Sequence, residues 1–389
     1  MNCEIKICSV DEEGRFGGPE HRITQVAKGL EAYGHKMRTH VVYPTDDSER
    51  FGRELTDRGI TCSALNITRL SKEKKIFFKY VIRFIPEIIL LYSLFRREKF
   101  DLVQANGSQQ FKAAIAAKFA GIPLVWVLED ELMAGSVRLV CKALAKHLAA
   151  GVIVTGKRVY DYYIRESVLE SKPLAEINPP VDTSAFDPEK AGGSAELKRE
   201  KGRKIVTVSG INATKGLEYF IEMVSMLVKK YDDLTFYIAA PKFRSQEKYY
   251  RRLEKQIKDC GLTEDNIKFL GMLDDIPAFL KSADIFVFTS ISESGPMSVW
   301  EAMAMMKPVV STDVGAVSEN MEDGESGFIV PIKNAAALCE KVEILLENPS
   351  LGKKMGEKAR KAVQEKLDIS IAAGKYASFY KKILNISEK

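Results

Sequence analysis

The chain of 389 residues predicts an α/β protein of two domains, each with a parallel sheet. Three observations carry that expectation. Short apolar runs alternate with amphipathic helical patterns through both halves, as strand–helix–strand units require. A polar, glycine-containing, charge-rich stretch at 187–203 interrupts the pattern near the middle and reads as a linker. The length suits two domains better than one. The expected division is therefore 1–186, the linker 187–203, 204–367, and a terminal helical segment 368–389. With 46% hydrophobic and 29% charged residues, the composition is that of an ordinary soluble globular chain.

The first strand is expected at Ile5–Val10. Glu4 and Lys6 inside its apolar run argue for a strand and against a signal peptide. Gly17-Gly18-Pro19-Glu20 then opens an amphipathic helix, Glu20–Tyr33. Paired glycines let the backbone approach a ligand closely, although Pro19 and Glu20 are equally ordinary residues for a helix start. Further strands are expected at Met37–Tyr43, Asp101–Ala105, Pro123–Leu128 and Gly151–Thr155. After Pro123–Leu128 come Glu129, Asp130 and Glu131, at the strand end where parallel sheets hold ligands. These carboxylates either bond a substrate's hydroxyls or form a solvated acidic turn.

Between Arg69 and Lys99, nine basic residues face three acidic ones, a surplus of six, larger than the +5 of the whole chain. The same region holds the apolar stretch 76–95, with Lys75, Lys79, Arg83 and Glu87 recurring every four residues along one helical face. Its charges and Pro86 exclude a membrane-spanning helix. Two readings stay open: packing on the first sheet with a basic outer edge, or contact of 72–97 with an anionic bilayer surface. Nucleic-acid binding is poorly supported, because the cations are interleaved with aliphatic residues.

The second half repeats the plan, with strands at Lys204–Ser209, Leu234–Ala240, Ile267–Leu270, Asp284–Thr289 and Pro308–Thr312. Asn212-Ala-Thr-Lys215-Gly216 precedes a helix at 217–229. A cation in the first helical turn opposes the helix dipole, a sign that a bound diphosphate would reverse. An exposed, merely tolerated lysine is the alternative. The most informative stretch is Glu293-Ser-Gly295-Pro-Met297-Ser298-Val299-Trp-Glu301. Pro296 suits the first helical position, leaving the amides of Met297, Ser298 and Val299 as donors for a phosphate. Glu293 lies before that end and Glu301 more than a turn inside it, among apolar residues. Anion donors flanked by two carboxylates suit a nucleotide-linked sugar. The plainer reading, an acidic helix flank, accounts for Glu293 but not for Glu301. Six cysteines without a Cys-x-x-Cys fit reduced thiols, and no metal-ligand spacing or strict Asp-x-Asp occurs.

Together, Gly17–Glu20, Ile177-Asn-Pro-Pro-Val-Asp-Thr-Ser-Ala-Phe186, Asn212–Gly216 and the pair Glu293 and Glu301 resemble, in order, the motifs of glycosyltransferase family 4. The resemblance spans nearly the whole chain. It implies the GT-B fold, two Rossmann-like domains facing a cleft, with the terminal helix packing back on the first. It implies retaining, metal-independent transfer from a nucleotide-sugar such as a UDP- or GDP-sugar, with no cofactor. The acceptor would be a saccharide or lipid-linked saccharide in cell-surface glycan synthesis. By resemblance, Lys215 contacts the donor phosphates, Glu293 orients sugar hydroxyls and Glu301 accepts bonds from the nucleotide ribose. The Gly17–Gly18 loop would face the cleft near the diphosphate and acceptor, and Asn212, Gly295 and the amides of Met297, Ser298 and Val299 would bind the donor. Asp313-Val-Gly315 also borders it.

Two positions depart from the family. The arginine that often precedes the lysine is missing, since Gly210 is followed by Ile211 and Asn212. The family's histidine after the strand 123–128 gives way to Glu129 and Asp130, the remaining catalytic candidates. These departures keep two other classes in view: a sugar-nucleotide 2-epimerase, which would use the acidic cluster, and a nucleotide-sugar-binding partner protein without catalysis. The expected location is the cytoplasm, at the inner face of the membrane if 72–97 docks there.

Overall fold

The structure, a computed structural model, describes residues 4–197, 202–242 and 246–386. The chain divides into two units: one runs to Pro180 and resumes at Ile369, the other spans Val181–Asp368. The division thus falls before the 187–203 stretch taken as a linker. Composition misled there, because a few apolar anchors sit among the charges: Phe186 and Leu197 are buried in the second unit's core. Residues 198–201 of that stretch lie outside the described residues.

In the first unit the strands are β1 (Ile5–Val10), β2 (Met37–Pro44), β3 (Thr61–Leu65), β4 (Leu102–Asn106), β5 (Leu124–Leu128), β6 (Gly151–Val154) and β7 (Leu174–Glu176). Their order among the described residues is β3-β2-β1-β4-β5-β6-β7, all parallel. The chain winds outward from β1 to β3, then crosses back to β4, with Ile7 opposite Leu102. The helices are α1 (Gly18–Ala32), α2 (Glu49–Asp57), α3 (Lys74–Glu98), α4 (Phe111–Ala120), α5 (Gly135–Leu148) and α6 (Lys157–Tyr163).

The orientation of α3 corrects the expected basic outer edge. Lys79 pairs with Asp46 at 2.8 Å, Arg83 pairs with Glu87 at 2.9 Å, and Glu87 is buried against Lys112 at 2.6 Å. Three charges of the stripe, Lys79, Arg83 and Glu87, therefore pair with protein groups, while Lys75, Phe78, Ile82 and Ile85 stand exposed. Lys112 also reaches Glu12 at 3.1 Å. A carboxylate buried with Arg83 and Lys112 as partners outweighs, in fixing the helix's rotation, the burial of a few more aliphatic groups.

The second unit contains β8 (Arg203–Val208), α7 (Leu217–Leu227), β9 (Leu234–Ala239), α8 (Glu247–Asp259), β10 (Ile267–Gly271), α9 (Ile276–Lys281) and β11 (Ile285–Phe288). It continues through α10 (Met297–Ala304), β12 (Val309–Thr312), α11 (Val317–Asn320), β13 (Phe328–Val330), α12 (Ala335–Glu347) and α13 (Pro349–Lys366). Its parallel sheet has the order β10-β9-β8-β11-β12-β13 among the described residues. The last helix, α14 (Ile369–Ile383), belongs to the first unit. It packs on α1 and buries Tyr376 and Tyr380 against Ile7, Leu102 and Val125.

All ten strands expected from apolar runs are present. The three that sequence patterning missed, β3, β7 and β13, are edge strands of three to five residues. An edge strand is covered on fewer sides and needs no continuous apolar run, so periodicity has little to detect.

Candidate active site

In the second unit the winding direction reverses between β8 and β11, so the loops after those strands diverge and leave a crevice at their carboxyl ends. Three loops meet there. The loop after β8 contains a 3-10 turn, Ala213–Lys215, capped by Asn212, whose Oδ1 accepts from the Thr214 amide at 3.0 Å. Lys215 lies in this turn and not in the first turn of α7, so the dipole argument does not apply to it. Gly216 follows with φ +61°, and a Cβ there would stand 2.2 Å from the Thr289 carbonyl oxygen. Only glycine satisfies both the left-handed backbone and the close approach.

The approach lets the loops after β8 and β11 bond directly. The Ile291 amide donates to the Thr214 carbonyl at 2.8 Å, and the Thr289 hydroxyl donates to the Lys215 carbonyl at 3.0 Å. Lys215 Nζ is thereby delivered to Glu293, with which it forms an ion pair; their side chains are 26% and 14% exposed. Ser290 Oγ donates to the same Glu293 oxygen at 2.8 Å. From the other side, Gly315 at φ +51° packs under the Glu293–Ser294 backbone, and the Ala316 amide donates to the Ser294 carbonyl at 2.9 Å. The segment carrying Glu293 and the half-buried Gly295 is thus held from both flanks.

Helix α10 begins beside this segment. Pro296 is the cap and Met297 the first helical residue, one position later than expected. The Val299 amide already donates to the Pro296 carbonyl at 3.0 Å, which corrects its assignment as a free donor. The amides of Met297 and Ser298, in the first turn, have no acceptor within the helix. Glu301, one turn further, is 8% exposed, and burial pushes its carboxyl up to about 8. Ile211, where the family has a nearby arginine, is buried in the unit's core and supplies no cation.

The first unit has its own reversal, between β1 and β4. Gly17 caps α1, and its amide donates to Glu20 Oε2 at 2.7 Å. That bond occupies the Gly17 donor, while a Cβ on Gly18 would meet nothing within 4 Å. Glu20 is buried, and its carboxyl is pushed up to about 8 chiefly by that burial.

Glu129 and Asp130, both catalytic candidates, are engaged within the unit. Arg22, fully buried, donates to Glu129 at 2.9 Å, to the Tyr376 hydroxyl at 2.9 Å and to Asn106 at 3.1 Å. Asp130 accepts from the hydroxyls of Ser108 and of Tyr163, the latter at 2.9 Å. These bonds give the two carboxylates partners within the unit. Sequence reasoning overlooked Arg22 and Ser290. A charge at a buried position of the α1 pattern was the available signal for Arg22; a serine in a loop offers none. Among the described residues, no three His, Cys, Asp or Glu side chains group as metal ligands.

A parallel sheet whose reversal crevice carries a lysine–glutamate pair and a helix start has the layout in which doubly wound α/β units hold phosphate-bearing ligands. Comparison with known proteins narrows the class. Residues 16–185 match the family described as Glycosyltransferase Family 4, and residues 193–362 match Glycosyl transferases group 1. The chain belongs to this glycosyltransferase family and has its GT-B fold.

Alpha-D-kanosaminyltransferase of Streptomyces kanamyceticus is 27% identical over 296 residues, 72% of this chain and 75% of that one. A Campylobacter jejuni protein, N,N'-diacetylbacillosaminyl-diphospho-undecaprenol alpha-1,3-N-acetylgalactosaminyltransferase, is 25% identical over 90% of this chain and 92% of its own. Several other relatives are matched over only about half of their length. Among solved structures, Anabaena Alr3699/HepE in complex with UDP and glucose superimposes with a TM-score of 0.83 at 21% identity, over 97% of this chain and 99% of that one.

Proposed function

We propose that the chain transfers a sugar from a nucleotide-sugar donor, with retention and without a metal, to a saccharide or lipid-linked saccharide acceptor in cell-surface glycan synthesis. The observation that carries this reading is the Lys215–Glu293 pair beside the start of α10. Without donor, the carboxylate of Glu293 neutralises Lys215. A diphosphate competes for the ammonium group and for the amides of Met297 and Ser298, which frees Glu293 to accept from sugar hydroxyls. As the sugar–phosphate bond breaks, its electron pair goes to the diphosphate oxygen. The held cation and amides stabilise that charge without reorganising. The acceptor oxygen attacks the face the phosphate leaves, and its proton passes to the departing oxygen. Glu301 accepts from the ribose hydroxyls.

The Anabaena neighbour is described with UDP and glucose, so UDP-sugars are the first donors to try. The undecaprenol-linked substrate in the Campylobacter relative's name supports a lipid-linked acceptor. The test is a thermal-shift panel of UDP-, GDP- and ADP-sugars with and without magnesium, then product NMR for the anomeric configuration. One nucleotide should raise the melting temperature independently of metal. Lys215→Ala should lower kcat by about 10²–10³-fold. No shift with any nucleotide, or release of a 2-epimer without acceptor, overturns the reading.

A further inference from the structure

Helix α3 presents to solvent a face that its own unit leaves uncovered. Phe78, Val81, Ile82, Ile85, Ile89 and Tyr92 are exposed along it, Ile82 at 76%. No exposed position between 77 and 93 bears a charge, which makes a band about 25 Å long at the helical rise. The charges within that span have partners on the protein: Lys79 pairs with Asp46 at the surface, Arg83 with Glu87 and the Asn66 carbonyl, and the buried Glu87 with Lys112. Exposed cations gather instead at both ends, Lys72, Lys74 and Lys75 before the band and Arg96, Arg97 and Lys99 after it. Isolated exposed apolar residues are ordinary on a protein surface, but a continuous uncharged band marks an interaction site.

From this arrangement we infer that α3 is a docking surface for an anionic lipid bilayer, lying flat with its apolar band among the acyl-chain ends of the headgroups. Charge decides the occupant. Both ends of the band are basic, so pairing α3 with a second copy sets cations against cations whether the helices run parallel or antiparallel. An anionic lipid surface meets both ends with opposite charge, and the apolar band adds burial between them. No described helix is long and apolar enough to cross a membrane, so the contact lies on the surface. The buried Glu87–Lys112 pair fixes the rotation of the helix and keeps the band outward. The inference does not depend on the transferase reading, and its test uses no nucleotide.

The experiment is co-sedimentation of the full chain with vesicles of phosphatidylcholine alone or mixed with phosphatidylglycerol. The protein should sediment with the mixed vesicles and be partly released by salt. Ile82→Glu with Ile85→Glu should abolish sedimentation with both vesicle types. Replacing Lys74, Lys75 and Arg96 by glutamine should weaken binding to the mixed vesicles by about fivefold per cation and leave pure phosphatidylcholine unaffected. These side chains are exposed, so the melting temperature should hold; Ile82→Ser with Ile85→Ser serves as a milder pair if the glutamates lower it. Wild-type protein that stays in the supernatant with mixed vesicles overturns the proposal. So does a glutamate pair that binds like wild type, or a dimer in sedimentation velocity that the pair disrupts.

Discussion

Glu301→Gln should make the unliganded protein more stable while weakening its hold on a nucleotide-sugar. The carboxyl is carried by α10 at a buried position, and burial lifts it from an ordinary 4.5 to about 8. At pH 7 the folded chain therefore holds a proton there that the unfolded chain has released. Holding a proton at pH 7 on a group that ordinarily loses it at 4.5 costs about 3 kcal/mol, at 1.36 kcal/mol per pH unit. Glutamine fills nearly the same volume without ionising.

Because the folded value is raised, the favourable contribution of the acid is complete below 4.5 and lost as pH climbs through about 8. The variant should match wild type near the acid end and exceed it by about 3 kcal/mol at pH 7, roughly 6–10 °C in melting temperature. Urea unfolding of both proteins across this range is the assay, followed by donor titration. Ribose hydroxyls favour the carboxylate, so wild-type donor affinity should rise with pH until about 8 and the variant's should stay flat. A variant less stable than wild type at pH 7, or a stability difference that does not change with pH, refutes the reasoning.

Gly216→Ala puts a methyl group 2.2 Å from the Thr289 carbonyl in a left-handed backbone, and should cost about 1–3 kcal/mol in urea unfolding. It should also separate Lys215 from Glu293 and lower donor affinity, read by the same thermal shift. Arg22→Met leaves the Glu129 carboxylate, Asn106 and the Tyr376 hydroxyl without their shared donor, for an expected loss of about 3–5 kcal/mol of stability. Arg22→Lys should recover only part of it, because an ammonium group cannot span three acceptors in the guanidinium's fixed fork.

The amino-acid sequence by itself determined the interior strands and the loops that follow them, because a strand covered on both faces must be apolar along its length. It also placed Lys215, Glu293 and Glu301 beside a glycine turn or a helix start, since these are local features. Tertiary structure decided what each charge meets. Glu129, a candidate ligand group in the sequence, meets Arg22, 107 residues away. Lys215 and Glu293 lie 78 residues apart and meet because β8 and β11 are neighbours in the sheet. The outward turn of α3 was likewise hidden, because its four-residue charge repeat marks one face without saying whether water or a buried counter-ion lies opposite. Periodicity records how a segment is covered; which partner covers it depends on strand order and long-range packing that no local pattern contains.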